Sequence, residues 1–483
     1  LLRWPWMRRL SLGALVSGVL VGVLSARAPL SLVEVPNATA PSVLLVSLDT
    51  VRSDHIGAYG NTKIQTPVLD KLAATGVLFE HAYAPIAVTG PSHASMLTGA
   101  GPWRTQMLLN GVELPQQWPT MATQLRQQGY ATGAFVSAYV LDDGLGFERG
   151  FQVYDSSFST PRGLGLTGPG RWLAMVDRQL SPHAVLERAG EETVDQALEW
   201  LSAVDGAPFF AWVHLFDAHG PYQPAPPWDT VYYSGDPRSQ RHTSMTGVSG
   251  VAPYLLESLE GIRDLDWVRA QYAGEISAID VQLGRLLSQL ESGGLDENTI
   301  VMVVGDHGES LGENGVWFNH GGDLDASALA VPMIMRWPGK VPTGLRVKAP
   351  VGVVDVAPTL MAMLGVSFDA PDGLDLAPSL EGALLDRNGV ASICYDRERN
   401  VEEREAGRID RPTYLLGRVS TDTGFIEIGT HPGRGAVVKG VVSQAATQRC
   451  SQMLQALNPL IHERAEHRTE ETLERLKALG YVE

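Results

Sequence analysis

The chain has 483 residues, 44% of them hydrophobic and 19% charged, with a formal net charge of −17. That length can bury more than one core, so about two structural units are expected. The acidic balance, 54 Asp and Glu against 37 Lys and Arg, excludes a nucleic-acid surface as the main function, and the composition is neither disordered nor fibrous.

At the start, Arg3, Arg8 and Arg9 precede a mostly apolar run over 10–24, and Ser25-Ala26-Arg27-Ala28 follows it. This order is that of a secretory signal, and the run is short of the roughly 20 residues that span a bilayer. Because apolar residues resume at Leu30, segment 1–33 is read as either a cleaved signal peptide or an N-terminal membrane anchor. Both readings predict an exported protein, periplasmic or extracellular. There Cys394 and Cys450 are equally readable as a disulfide or as two buried thiols, and the absence of a CxxC pair implies no thiolate zinc site.

From residue 42 onward, apolar runs alternate with helical patterns. The runs at 42–48, 134–136, 209–213 and 300–304 read as strands buried on both faces. Between them, Val194, Leu198 and Leu201 share one helix side. Tyr272, Ile276, Ile279, Leu283, Leu286 and Leu290 form a second apolar stripe, which Gly293-Gly294 ends. The alternation predicts an α/β fold: a layered sandwich with a large mostly parallel or mixed central sheet flanked by helices. Segments 163–170 and 224–249 interrupt it as loops or lids. After Gly365 the segments shorten, which predicts a catalytic domain over 40–365 and a smaller C-terminal α+β subdomain over 366–483, closing with a helix over about 466–479.

Polar, metal-capable residues follow three of the strands. They are Asp49-Thr50-Val51-Arg52-Ser53-Asp54-His55, His214-Leu215-Phe216-Asp217-Ala218-His219 and Asp306-His307-Gly308-Glu309. Ligands of open α/β sheets bind beyond the carboxyl ends of strands. One such Asp is ordinarily a helix cap; three such ends in one sheet point to a site. A fourth element, Thr89-Gly90-Pro91-Ser92-His93, suits a helix start, with Thr89 just ahead of an N-terminus that favours an anion. On local grounds alone, Thr89 and Ser92 read better as helix caps.

Together these stretches resemble the sulfatase family of the alkaline-phosphatase superfamily. The resemblance runs in order from Leu48-Asp49-Thr50-Val51-Arg52-Ser53-Asp54-His55 through Thr89-x-Pro91-Ser92-His93 and Leu97-Thr98-Gly99. It continues through Asp217-Ala218-His219-Gly220-Pro221-Tyr222, Asp306-His307-Gly308-Glu309, Val331-Pro332 and Trp337-Pro338-Gly339 to Leu476-Lys477-Ala478-Leu479-Gly480-Tyr481. It implies a metal-dependent ester hydrolase. The sequence departs from the family at four positions. Thr89 stands where Cys or Ser is oxidised to formylglycine, and a secondary alcohol would give a ketone instead. His93 replaces the following Arg, Thr50 a second Asp, and His307 the usual Asn. Relatives acting on phosphorus esters use Thr as nucleophile and Asp-His as metal ligands, so the resemblance tilts this site toward phosphorus.

The implied site has Asp49, Thr50, Thr89, Asp306 and His307 at the metal, Thr89 attacking the ester and His219 protonating the leaving oxygen. His93 is placed on the transferred group, and Asp217 and His320 are further site residues or second-metal ligands. Oxygen ligands with one imidazole suit Mn²⁺ or Zn²⁺ better than Ca²⁺, the ordinary sulfatase metal. The expected substrate is a small-molecule, glycan or lipid ester of sulfate or phosphate, phosphodiesters included. A membrane-facing phosphotransferase to a lipid or glycan alcohol and a non-catalytic binder remain the rival readings; the oligomeric state is open.

Overall fold

The computed structural model describes residues 40–157, 187–383 apart from 205 and 323, 385, 390–395, 415–420, 425–429 and 437–440. The expected signal or anchor at 1–33, the loop at 163–170, Cys450 and the helix at 466–479 lie outside these residues. Among the described residues no helix is long and apolar enough to cross a membrane.

The large unit is built on eight strands. They are β1 (Ser42–Leu48), β2 (Val77–Phe79), β3 (Ala131–Phe135), β4 (Val153–Asp155), β5 (Phe209–Leu215), β6 (Thr299–Gly305), β7 (Met333–Arg336) and β8 (Leu345–Val347). The sheet order is β8-β2-β7-β6-β1-β5-β3-β4, and only β7 runs against the strands beside it. This is the expected mixed, mostly parallel sheet. Its central strands carry apolar side chains on both sides because helices cover both. Along β1, Val43 and Leu45 enter one core while Leu44, Val46 and Leu48 enter the other.

The helices follow the sequence pattern. Helix α4 (Leu265–Ser292) turns Tyr272, Ile276, Ile279, Leu283, Leu286 and Leu290 into the second core, beside α1 (Pro67–Thr75) and α3 (Gly190–Ala203). It ends at Gly293, and the left-handed residue is the next one, Gly294, with φ +66°. Helix α2 (Thr89–Thr98) lies on the opposite face with α5 (Val356–Met363) and is buried along its whole length.

Four antiparallel strands follow: β9 (Val390–Tyr395), β10 (Leu415–Ser420), β11 (Phe425–Gly429) and β12 (Val437–Gly440). They form one four-stranded sheet in the order β9-β10-β11-β12. Strand β9 is fastened to the large unit, since Ile393 N donates to Pro85 O at 2.9 Å and Ser392 Oγ to Ala84 O at 2.7 Å. Segment 366–383 likewise stays with the catalytic body: Asp372 N donates to Gly99 O at 3.2 Å and Leu376 is buried in the first core.

One buried carboxylate joins two helices of the second core. Asp280 on α4 accepts from Val68 N at 3.0 Å and Leu69 N at 2.8 Å, satisfying the first turn of α1. Asp280→Ala should lower unfolding free energy by about 1–3 kcal/mol, since two buried donors lose their acceptor. Asp280→Asn, which keeps one acceptor oxygen, should lose less in the same urea titration. Equal losses would mean that packing, not the acceptor, sets the effect.

Candidate metal centre and nucleophile

Strand register brings the site together. Leu48 of β1 lies between Gly305 of β6 and Leu215 of β5, so the next residues of neighbouring strands emerge side by side. Asp49 N donates to Leu215 O at 2.9 Å and Asp306 N to Leu48 O at 3.2 Å. Asp49, Asp306 and His307 consequently each place one ligand atom within 4.8 Å of the others, all three fully buried. Gly308 allows this turn: a Cβ there would lie 2.0 Å from Ser327 O, and its N donates to Ala328 O at 2.7 Å.

The orphaned atoms are the ones a cation would take. Asp49 Oδ1 and Asp306 Oδ2 have no hydrogen-bond partner, while Asp306 Oδ1 accepts from Thr50 N and His307 N. His307 Nδ1 donates to Gly308 O at 3.0 Å, so its Nε2 lone pair faces inward, 3.4 Å from Asp306 Oδ2 and 4.0 Å from Asp49 Oδ1. Thr89 Oγ1 lies 3.2 Å from the same Nε2. Burial raises both carboxyl pKa values, that of Asp306 further through Asp49, and holds His307 down at about 3. Two carboxylates with free oxygens beside an unprotonated imidazole fit a divalent cation.

Thr89 is the first residue of α2, one position further in than expected. The N-terminal donors of that helix are largely occupied: Gly90 N binds Asn110 Oδ1 at 2.8 Å, Pro91 has none, and Ser92 N binds Val88 O. The amide of Asn110, 3% exposed, keeps a donor, Nδ2, without a partner.

Comparison with known proteins identifies the family of the chain. The sequence profile described as Sulfatase matches residues 41–366. The chain belongs to the sulfatase family. It is 29% identical over 352 residues to the ulvan-active sulfatase of Formosa agariphila, covering 70% of this chain and 64% of that protein. It is 27% identical to human iduronate 2-sulfatase, covering 71% and 68%. In structure it resembles the phosphonate monoester hydrolase of Agrobacterium radiobacter, with a TM-score of 0.63, 23% identity and coverage of 88% of this chain and 96% of that one. The chain thus spans just under two thirds of the first relative's length.

Within this sulfatase fold, three expected site residues take other parts. The hydroxyl of Thr50 donates to Asp49 O at 2.8 Å, and it is the backbone N–H of Thr50, at φ +55°, that holds Asp306. His93 has both ring nitrogens engaged inside the protein, with Thr89 O at 2.8 Å and Ser47 Oγ at 2.9 Å, so it lies behind Thr89 instead of on a transferred group. Asp217 accepts from Gly190 N at 2.9 Å at the start of α3 and does not join His320 in a second metal group. Asp49, Asp306 and His307 are the only such group among the described residues.

His219 and His320 do reach the site. Their ring centroids are 5.2 Å apart, and His320 is 4.5 Å from His307. His219 is stacked on Phe216 at 4.3 Å and donates Nδ1–H to Gly220 O at 2.7 Å, which leaves Nε2 as the basic nitrogen. Burial, then His320, lowers its pKa well below the ordinary value. His320 Nδ1 faces Glu309 Oε1 at 3.4 Å. Arg52 is committed elsewhere, to Asp54, to Glu313 and to the Glu309 carbonyl.

His214 and Glu309 fall in the post-strand stretches the sequence points to but receive no role there, and Asn110 is not singled out at all. His214 ends β5 as a strand residue; its Nε2 lies 3.2 Å from Asp49 Oδ2, and its Nδ1 accepts from Ser137 N at 3.4 Å. It therefore aims the Asp49 carboxylate and frees Oδ1. The polar break in an otherwise apolar β5 was the one available signal. His214→Leu should weaken Mn²⁺ binding about 10–100-fold, as loss of an orienting partner does; unchanged affinity in calorimetry would remove that role.

The raised carboxyl pKa values carry a sign. In metal-free protein the folded state holds protons the unfolded state loses above about 4, so this contribution falls as pH rises through the raised values. A cation displaces those protons. Mn²⁺ should therefore raise Tm more at pH 8 than at pH 5. Asp306→Asn should raise the metal-free Tm at pH 8 and abolish the Mn²⁺ increment; a retained increment would place the cation elsewhere.

Proposed function

We propose that the protein is an exported, metal-dependent hydrolase of phosphoric or sulfuric esters, acting through a covalent intermediate on Thr89. The observation that carries this reading is the Thr89 hydroxyl at the buried Asp49–Asp306–His307 group, 3.2 Å from His307 Nε2. A bound divalent cation would lower the pKa of an adjacent hydroxyl and neutralise a non-bridging ester oxygen. Asp49, Asp306 and His307 would hold it. Thr89 Oγ attacks phosphorus or sulfur in line, and its proton passes to solvent or a neighbouring base. Asn110 Nδ2, with its amide orientation set by Gly90 N, offers a donor to a second non-bridging oxygen. His320, beside the group, or His219 once its Nε2 has taken up a proton, protonates the leaving oxygen. Water then releases the group from Thr89.

The named relatives include sulfatases, and a structural neighbour is a phosphonate monoester hydrolase, so the fold accommodates both elements. Thr89 and His307 favour phosphorus. Charge favours a monoanion: two carboxylates offset one divalent cation, and the histidines His93, His214, His219 and His307 are held neutral by burial. A phosphodiester or an alkyl sulfate needs less added positive charge than a phosphate dianion.

Matched aryl phosphodiester, phosphate monoester and sulfate substrates, with Mn²⁺, Zn²⁺ or Ca²⁺, decide between these. Expected is diester turnover exceeding monoester turnover and falling by about 10³-fold or more in Thr89→Ala, the scale of a lost nucleophile. Sulfate turnover that survives Thr89→Ala would show that another residue carries the family's usual chemistry. Transfer to an added alcohol in preference to water would identify a phosphotransferase.

A further inference from the structure

His93 occupies a position that the mechanism above does not use. It is fully buried, at the fifth residue of α2, between that helix and the strands that carry the site. Its ring is 5.5 Å from Trp212 and 4.9 Å from His214, both on β5. Ser47 on β1 faces the same side of the sheet as Trp212. Trp212 Nε1 lies 2.9 Å from Ser47 Oγ, Ser47 Oγ lies 2.9 Å from His93 Nε2, and His93 Nδ1 lies 2.8 Å from Thr89 O. His93 Nδ1 is also 3.6 Å from Asp306 Oδ2, beyond a hydrogen bond.

Chemistry fixes the direction of this chain. An indole N–H only donates and a carbonyl only accepts. Ser47 Oγ therefore accepts from Trp212, and Thr89 O accepts from His93 Nδ1–H. Ser47 then gives its own hydrogen to His93 Nε2. Each donor meets an acceptor from the sheet to the backbone of the nucleophile, and all the members are buried.

We infer that His93 is a positioning residue: Trp212, Ser47 and His93 form a hydrogen-bonded strut that fixes the Thr89 carbonyl and so aims the Thr89 hydroxyl at the metal group. This rests on Thr89 being the nucleophile. The first turn is also held by Gly90 N to Asn110 Oδ1, by Ser92 N to Val88 O and by Ser92 Oγ to Asp306 O at 2.7 Å. The strut adds a side-chain bond to the carbonyl of Thr89 itself. A misplacement of about 1 Å at a reacting group costs on the order of 10²-fold in rate. The strut touches no substrate, so its loss should fall on kcat.

The test uses full-length Mn²⁺-loaded protein and an aryl phosphodiester. Ser47→Ala removes the middle hydroxyl, and Trp212→Phe removes the far N–H while keeping an aromatic ring. Each should lower kcat about 10–100-fold, with KM and Mn²⁺ affinity within about twofold of the parent, in keeping with a lost orienting contact. Ser47→Thr, which keeps the hydroxyl, should restore most of kcat. The double variant Ser47→Ala with Trp212→Phe should be no slower than the worse single variant, because one chain is broken twice. Full kcat in folded Ser47→Ala, or a Mn²⁺ affinity that falls in step with kcat, would overturn the strut. Should Ser47→Ala fail to fold, kcat, KM and Mn²⁺ affinity of Trp212→Phe decide the question by the same criteria. Thr89→Ala on the same substrate separates the two ideas: turnover surviving there sinks the nucleophile itself, whatever the strut variants do.

Discussion

Two buried carboxylates just past the carboxyl ends of adjacent parallel strands, each with one oxygen that has no hydrogen-bond partner, are the constraint on which this site depends. Asp49 and Asp306 follow adjacent strands, so pairing of β1 with β6 alone sets them side by side. Leaving two such charges uncompensated in the interior costs several kcal/mol each. Chains do not maintain that arrangement by packing. It is stable only when protons or a cation offset it, and His307, presenting an unprotonated Nε2 to the same point, fits a cation there.

The surrounding polar groups divide the remaining work by which oxygen they occupy. Thr50 N and His307 N take Asp306 Oδ1, and His214 takes Asp49 Oδ2. The inward oxygens stay open because the outward ones are saturated. Thr50 accepts a left-handed backbone that a β-branched residue disfavours in order to point its N–H there. Tyr272 steadies that turn, donating to Thr50 O at 2.7 Å and accepting from Arg52 N. It comes from the apolar stripe of α4, so one helix supplies both core packing and a brace for the site.

These roles explain what the sequence disclosed and what it withheld. Buried parallel strands announce themselves as continuous apolar runs, and the runs at 42–48, 209–213 and 300–304 became β1, β5 and β6 with their polar successors in place. Residues directly after a strand are legible because topology puts them at the sheet edge. Residues inside a strand are not: Ser47 and Trp212 look like ordinary occupants of an apolar segment until the neighbouring helix is known. Thr50 and His93 were legible as site positions but not as parts. A hydroxyl and an imidazole in a motif suggest contact with metal or ester, whereas their hydrogen bonds turn to backbone and to Ser47. The stretch from Pro224 to Ser249 read as a loop because it carries no period, and it contains only short helical turns.

The departures from the family's usual residues make one physical change when taken together. Arg in place of His93 would keep a permanent positive charge behind the nucleophile, and Asp in place of Thr50 would add a third carboxylate at the metal. This chain has neither; it gives up one charge of each sign and substitutes groups that hydrogen-bond to their own backbone and sheet. The only nearby guanidinium, among the described residues that hydrogen-bond to the site loops, is Arg52, already neutralised by Asp54 and Glu313. On the proposed mechanism, field at the ester would then come almost wholly from a cation held there and from fixed dipoles such as the Asn110 amide. Such a site discriminates less by total substrate charge and more by where the non-bridging oxygens lie. The precision of the Thr89 hydroxyl relative to the metal group becomes the quantity the fold has to protect. For Thr89 as the proposed nucleophile, a chain of hydrogen bonds from β5 through β1 to its carbonyl is a sensible use of three buried polar side chains.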